Sequence, residues 1–247
     1  MEVGLLEEEA KRLNEAFFKH ITTGMPFVIL KLAMSLDGKI ATAAGESRWI
    51  SCEESRLMVH RLRDQVDAVM VGIGTILKDD PSLTTRLPDG GRDPIRVVVD
   101  SLARTPPSSK VINPESPAPT LIAVTPRAPR ERMEALKRAG AEVLVIDEDE
   151  GGRVDLVKLM KELGGRDIQS VMVEGGSELA WSLIEADLVD KLLLFIAPKI
   201  IGGKEAPTAI GGKGIAELAK AKRVYGLEVR RVGEDVLITG YLRRSAP

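Results

Sequence analysis

The chain has 247 residues, 44% hydrophobic and 29% charged, with a formal net charge of −2, which suits a globular core in one large domain or two small ones. That charge and an aromatic content of 3% leave no electrostatic or stacking case for nucleic acid or an anionic membrane. The single cysteine, Cys52, excludes an internal disulfide framework. With only His20 and His60 beside it, no zinc-ligand spacing arises and no metal is expected.

The start of the chain is acidic, without the basic and apolar regions of a signal peptide, and its longest apolar run is too short to span a bilayer. Cytoplasmic is the economical expectation. Residues 5–23 predict one amphipathic helix, with Leu5, Leu6, Ala10, Leu13, Ala16, Phe17 and His20 on one side and Gly24 and Pro26 as its stop. From Pro26 through Met34 the chain is almost continuously apolar, predicting a strand covered on both faces that ends in a Ser35-Leu36-Asp37-Gly38 turn. Lys31 interrupts this run. Inside a buried strand a lysine needs a counter-ion or loses basicity; on an edge strand it simply reaches solvent. Asp37 follows at the strand's carboxyl end, where open α/β sheets bind ligands.

Ser51-Cys52-Glu53-Glu54 matches a capping box and predicts a helix through about Leu62. His60, among Arg56, Arg61 and Arg63, reads as a solvated or ring-stacked side chain, and Cys52 as a small buried residue. Residues 68–71 predict a buried strand, followed by Gly72-Ile73-Gly74-Thr75 and a short helix that Pro81 ends. Leu77 stands where the dinucleotide fingerprint requires a third glycine or alanine, so this is not a Rossmann site. Its two glycines still permit close backbone approach to a pyrophosphate.

Pro/Gly/Ser/Arg-rich loops at 87–94 and 102–119 flank a strand at 95–99. Ser101 and Arg104 beyond it are candidates to hold a 2′-phosphate, although Asp100 beside them argues the other way. Strands at 120–124, 142–146, 168–173 and 189–197 then alternate with helices at 129–139, 154–163 and 177–186. The tail, 227–232 and 236–242 around Gly233-Glu234-Asp235, predicts an antiparallel hairpin. The fold class is α/β, a mixed and mostly parallel sheet flanked by helices, with antiparallel strands at its C-terminal edge.

Residues 168–186 are the most informative stretch. A β-branched run ends in Glu174, turns on Gly175 and Gly176, and enters a helix at Ser177. Free N–H groups and the positive helix end then converge where an anion can sit; a plain strand-to-helix turn is the alternative. Lys31, Asp37 and Glu174 are candidates for a convergent acid/base set. Arg63 and Arg86 carry the forked guanidinium groups that suit a phosphate monoester, or else they pair with surface acids. The glycine pairs 202–203 and 211–212 read first as surface turns.

Six segments occur in order: Lys-Leu-Ala-Met-Ser-Leu-Asp-Gly-Lys (31–39), Gly-Glu-Ser-Arg-Trp-Ile-Ser (45–51), the run 72–86 from Gly-Ile-Gly-Thr to Leu-Thr-Thr-Arg, Pro-Ile-Arg-Val-Val-Val-Asp-Ser (94–101), Val-Glu-Gly-Gly (173–176) and Ala-Pro-Lys-Ile-Ile-Gly-Gly (197–203). Together they resemble the C-terminal reductase domain of the bifunctional riboflavin-biosynthesis deaminase/reductase family. The resemblance covers 26–247, and residues 1–25 look like the connector that follows the deaminase domain. The deaminase zinc motifs, His-Ala-Glu and Pro-Cys-x-x-Cys, do not occur in this sequence; the chain is expected to be a stand-alone reductase or part of a longer protein.

The resemblance implies a dihydrofolate-reductase-like fold, NADPH as cofactor and a homodimer or larger assembly. It implies reduction of 5-amino-6-(5-phosphoribosylamino)uracil to its ribityl product, or, in stand-alone relatives, of the 2,5-diamino pyrimidinone before deamination. Carried onto matching positions, Ala33, Trp49, Thr75, Asp79, Ser101 and the turn Gly176, Ser177, Glu178, Leu179, Ala180, Trp181 and Ser182 contact the cofactor. Ser47, Arg63, Leu83, Arg86 and Glu174 contact the substrate. Lys31, Asp37 and Glu174 are then expected to bind ribose hydroxyls and manage protons, while Arg63, Arg86 and Ser47 hold the 5′-phosphate. Rival readings are a reductase of a pterin-like heterocycle, which needs no phosphate-binding arginines, and a non-enzymatic nucleotide or phosphosugar regulator.

Overall fold

The computed structural model describes residues 4–112 and 115–243. Residues 1–3 of the expected connector, 113–114 of the proline-rich loop and 244–247 lie outside the described residues. Strands β1 (Phe27–Ser35), β2 (Ala68–Gly72), β3 (Ile95–Val99), β4 (Thr120–Val124), β5 (Glu142–Val145), β6 (Ser170–Glu174), β7 (Lys191–Ala197), β8 (Tyr225–Val232) and β9 (Asp235–Tyr241) form one sheet in the order β5-β4-β3-β2-β6-β1-β7-β9-β8. Pairings from β5 across to β7 are parallel; β9 joins β7 antiparallel, and β8 joins β9 antiparallel. This is the mixed, mostly parallel sheet with a C-terminal hairpin that the sequence predicts.

The other elements are α1 (Glu7–Leu13), α2 (Glu15–Thr23), α3 (Glu53–Gln65), α4 (Ile73–Asp79), α5 (Arg130–Arg138), α6 (Leu156–Gly164) and α7 (Ser177–Glu185). Two apolar clusters form, one for each face of the sheet. Leu159 and Leu163 of α6 join Leu179 and Leu183 of α7 against Leu30, Met70 and Val173. Val59 of α3, Ile76 of α4 and Leu136 of α5 pack with Val69, Val71 and Met172. Alternate residues of the central strands thus feed opposite layers, which is why those strands are apolar almost throughout.

Two local expectations are corrected. The helix expected over 5–23 breaks at Asn14, whose side-chain amide donates to the Ala10 carbonyl at 2.9 Å and so terminates α1. Its expected apolar face is largely exposed, with Leu5 75%, Leu6 64% and Leu13 85% accessible. Lys19 is buried instead, paired with Asp190 at 2.5 Å. The capping box also fails: Cys52 is the N-cap of α3 without a side-chain cap bond, and the helix runs past Leu62 to Gln65. The Cys52 Sγ turns to Ser55 and to the Val232 carbonyl, tying α3 to the hairpin.

Candidate active site

Strand ends create the site. β1 pairs with β6 as far as Lys31 opposite Glu174, where β6 stops, yet β1 continues to Ser35 with only β7 beside it. On the other side, β2 follows β6 only to Met70 opposite Val173. Beyond Glu174 nothing bridges β1 and β2, and a crevice opens at the carboxyl ends of the strands. The resulting cleft, about 1430 Å³, is lined by β1, α3, α4, the 81–88 loop, the β6–α7 turn and the loops after β3, β4 and β5. It exceeds the roughly 300–1000 Å³ of a pocket for one small ligand, leaving room for an extended ligand and a second molecule.

At its floor lies a buried ionic group. Arg63 donates Nε to Glu174 Oε1 at 2.6 Å and Nη2 to Oε2 at 3.0 Å, while its Nη1 donates to the Thr84 carbonyl at 2.8 Å. Lys31 Nζ stands 3.7 Å from Glu174 Oε2. Because β1 lies between β6 and β7, Lys31 is on a central strand, which removes the alternative of an edge lysine in solvent. Burial alone would raise the Glu174 carboxyl, but Arg63 and Lys31 outweigh it and hold the pKa at about 2. Burial pushes the Lys31 ammonium down, against the pull of Glu174, and Arg63 lowers it further. Lys31 is therefore the group of the three whose proton is easiest to move.

Above this floor two glycine turns face each other. Gly175 and Gly176 adopt φ of +79° and +88°, a region open to glycine and rarely to other residues. A Cβ on Gly176 would lie 3.5 Å from Leu179 Cβ and 3.9 Å from the Gly72 nitrogen, so the turn packs closely on the start of α4. No side chain caps α7, whose first-turn residues Ser177, Glu178 and Leu179 line the cleft. Its early N–H groups and dipole favour an anion there. Farther along the cleft stand Ser101, Arg104, Arg127 and Arg153. Asp100 is not on that wall; it is fully buried, with Oδ2 accepting the Thr105 N–H at 2.7 Å and the Thr105 hydroxyl at 2.8 Å. Each of the three arginines has a carboxylate beside it, Arg104 Nε 3.7 Å from Asp100 Oδ1, Arg127 Nε 2.7 Å from Glu148 Oε1 and Arg153 Nε 3.6 Å from Asp149 Oδ2; the glycine turns and the start of α7 are what fit an elongated anionic cofactor.

Ala33, Ser47, Trp49, Thr75, Asp79, Leu83, Arg86 and Ser182 line the same cleft. Ser47 Oγ bonds Asp79 Oδ1 at 3.3 Å, and the exposed Trp49 ring carries the Arg56 guanidinium 4.7 Å from its centroid. Three expectations are corrected. Asp37 does not join Lys31 and Glu174: its carboxylate accepts the Ser35 hydroxyl at 2.6 Å and the Ile201 and Gly202 amides at 3.0 and 2.7 Å. It is the clasp between two loops, outside the cleft lining, and the Ser35 hydroxyl with those amides holds its pKa at about 2. Ala180 and Trp181 turn away from the cleft. Ala180 is fully buried in the core, and the Trp181 indole lies under the strap at Gly212, where an added Cβ would meet Cδ1 at 2.0 Å. Arg63 is not a free phosphate clamp, because Glu174 and Thr84 engage it.

His60 is the side chain that sequence reasoning underrated. It is half-buried in the cleft wall, with Nδ1 accepting the Arg86 backbone N–H at 3.2 Å. The only sequence signal was its place between Arg56 and Arg63 at helical spacing. Arg127 and Arg153 carried no signal, since they lie on loops of two different βα units.

The RibD C-terminal domain family matches residues 26–238. The chain is 41% identical over 235 residues to the riboflavin biosynthesis protein RibD of Actinobacillus pleuropneumoniae, covering 95% of this chain but 62% of that protein. It is 49% identical over 218 residues to the 2,5-diamino-6-ribosylamino-4(3H)-pyrimidinone 5′-phosphate reductase of Methanothermobacter thermautotrophicus, covering 86% of this chain and 96% of that one. The crystal structure of a diaminohydroxyphosphoribosylaminopyrimidine deaminase/5-amino-6-(5-phosphoribosylamino)uracil reductase from Thermotoga maritima superposes with a TM-score of 0.81 at 31% identity, covering 96% of this chain and 62% of that one.

Proposed function

The chain belongs to the RibD C-terminal domain family, and on that premise we propose that it is an NADPH-dependent oxidoreductase of riboflavin biosynthesis, reducing the ribosyl group of 5-amino-6-(5-phosphoribosylamino)uracil to a ribityl chain. The carrying observation is the Lys31–Glu174–Arg63 group on the floor of a cleft whose wall is the paired glycine turns. A second reading, reduction of the 2,5-diamino pyrimidinone before deamination, is favoured by the 49% match over 96% of the Methanothermobacter relative. Both substrates have the same reacting sugar and phosphate.

NADPH, when bound, supplies the hydride that reduces C1′ of the opened sugar. Glu174 keeps Arg63 in place and Lys31 charged beside the cleft. Lys31, with its ammonium weakened by burial, binds the ribose hydroxyls and supplies the proton that the imine nitrogen gains as C1′ is reduced. Arg86 and Ser47 hold the 5′-phosphate; Ala33, Trp49, Thr75, Asp79, Ser101 and the Gly176–Leu179 turn hold the cofactor. Preference for NADPH over NADH is supported by Arg104, Arg127 and Arg153 on the wall beyond Ser101, although each has a carboxylate beside it (Asp100, Glu148 and Asp149) that a 2′-phosphate would have to displace or share. A carboxylate facing a ribose 2′-hydroxyl favours NAD; guanidinium groups favour a 2′-phosphate. Residues 1–25 are read as a connector and 26–247 as the reductase domain, with α2 of the connector held to it through Lys19 and Asp190. The open edge of β8 is read as a surface for self-association.

The test is oxidation of reduced nicotinamide, followed by absorbance, with each of the two phosphorylated pyrimidines, their dephosphorylated forms, and a dihydropterin. Turnover that requires a phosphorylated pyrimidine supports the reading. Turnover of the pterin alone, or cofactor binding with no turnover, overturns it.

A further inference from the structure

The segment 82–86 lines the cleft through Leu83 and Arg86 and is tied at three consecutive residues. The Thr84 carbonyl accepts from Arg63 at 2.8 Å, the Thr85 N–H donates to Asp93 Oδ1 at 2.7 Å, and the Arg86 N–H donates to His60 Nδ1 at 3.2 Å. The first two ties belong to the ion cluster and to a neighbouring loop. The third is made by a neutral ring from α3, at the residue whose guanidinium lines the cleft. That guanidinium donates to Ser82 Oγ at 3.0 Å; burial lowers its basicity, and Arg63 and Arg48 lower it further against the pull of Glu174 and Asp93, so a phosphate there would meet a cation with donors to spare.

Resting on the reductase reading above, we propose that His60 is a positioning residue for the phosphorylated substrate, its Nδ1 fixing the Arg86 backbone so that the guanidinium meets the phosphate. A ring nitrogen accepts only when unprotonated. Burial, with Arg63 and Arg86 nearby, holds the His60 pKa at about 4 against the pull of Glu174 and the Thr84 backbone, so the ring is neutral and the tie intact at neutral pH. Loss of one such hydrogen bond corresponds to about a 3- to 10-fold loss of binding.

Three variants separate this role from general damage to α3. His60→Asn presents an amide oxygen close to where Nδ1 lies; His60→Gln carries its amide one methylene farther out; His60→Ala has no acceptor. The expected result is a KM for the phosphorylated pyrimidine raised about 3- to 10-fold in His60→Gln and His60→Ala, and close to wild type in His60→Asn. The KM for NADPH stays within about twofold of wild type in all three. Hydrogen exchange at the Arg86 amide speeds up in the Gln and Ala variants and not in the Asn variant. Equal impairment of all three, rescue by Gln rather than Asn, or a parallel rise in the NADPH KM overturns the assignment. If wild-type protein turns over no phosphorylated pyrimidine, the reductase reading fails by itself, and unchanged Arg86 exchange in His60→Ala then separately refutes the tie.

Discussion

Glu174→Gln preserves the volume of the side chain and removes the charge that balances Arg63 and Lys31. Glu174 is 9% exposed and Arg63 8%, so the variant leaves two cations in a poorly solvated floor. Removing one partner of such a buried pair costs about 3–5 kcal/mol. A carboxyl held at about 2 rather than 4.5 corresponds to a contribution of about 3 kcal/mol above pH 5, the same order. In a domain of this length 1 kcal/mol moves Tm by about 2–4 °C, so a fall of about 6–20 °C is expected by calorimetry at pH 7. The pH dependence has a definite sign. Glu174 has a depressed pKa, so its contribution is present above the ordinary value of 4.5 and is lost as pH falls toward 2. Wild-type stability should therefore decline over that window by an amount absent from the variant. Turnover should fall much further than NADPH affinity, because Lys31 loses the neighbour that keeps it charged. A Tm within about 2 °C of wild type, with the same acid limb in both proteins, would refute the argument that these three side chains form one electrostatic unit.

Two further outcomes follow from the cleft and its surroundings. Arg104→Ala combined with Arg153→Ala should raise the KM for NADPH about tenfold or more and leave kcat/KM for NADH nearly unchanged; an equal loss for both cofactors would remove the arginines from 2′-phosphate recognition. A Cβ on Gly212 would fall 2.0 Å from the Trp181 indole at a backbone φ of +72°, so Gly212→Ala should cost about 1–2 kcal/mol for the backbone alone and must in addition push the 211–212 turn (the strap) off α7. A red shift of tryptophan emission reports that lifting; unaltered emission and denaturation midpoint would show that the strap does not rest on Trp181.

Much of the architecture is local in origin and so was legible along the chain. The continuous apolar runs at 26–34 and 68–71 announced central strands, and the structure places them as β1 and β2, inside the sheet. The Gly233-Glu234-Asp235 turn announced the β8–β9 hairpin, and Glu174-Gly175-Gly176 marked a strand end followed by a helix, which the structure shows to start without a side-chain cap. Where a polar side chain competed with the backbone, as at Asn14, periodicity misled, because a seven-residue α1 and a nine-residue α2 together mimic one amphipathic helix.

What the amino-acid order determined by itself is the set of elements, the mostly parallel sheet and the chemistry available at each strand's end, because periodicity and turn residues act over a few neighbours. Which groups meet was decided only in three dimensions. Asp37 and Lys31 are close in sequence, yet Asp37 bends out to clasp Gly202 while Lys31 faces Glu174. Arg63, read as a phosphate clamp, became the carboxylate's partner, and His60 acquired Arg86. The physical reason is the insertion of β6 between β1 and β2: strand order and register are long-range choices made by packing, and they alone set which side chains share the crevice.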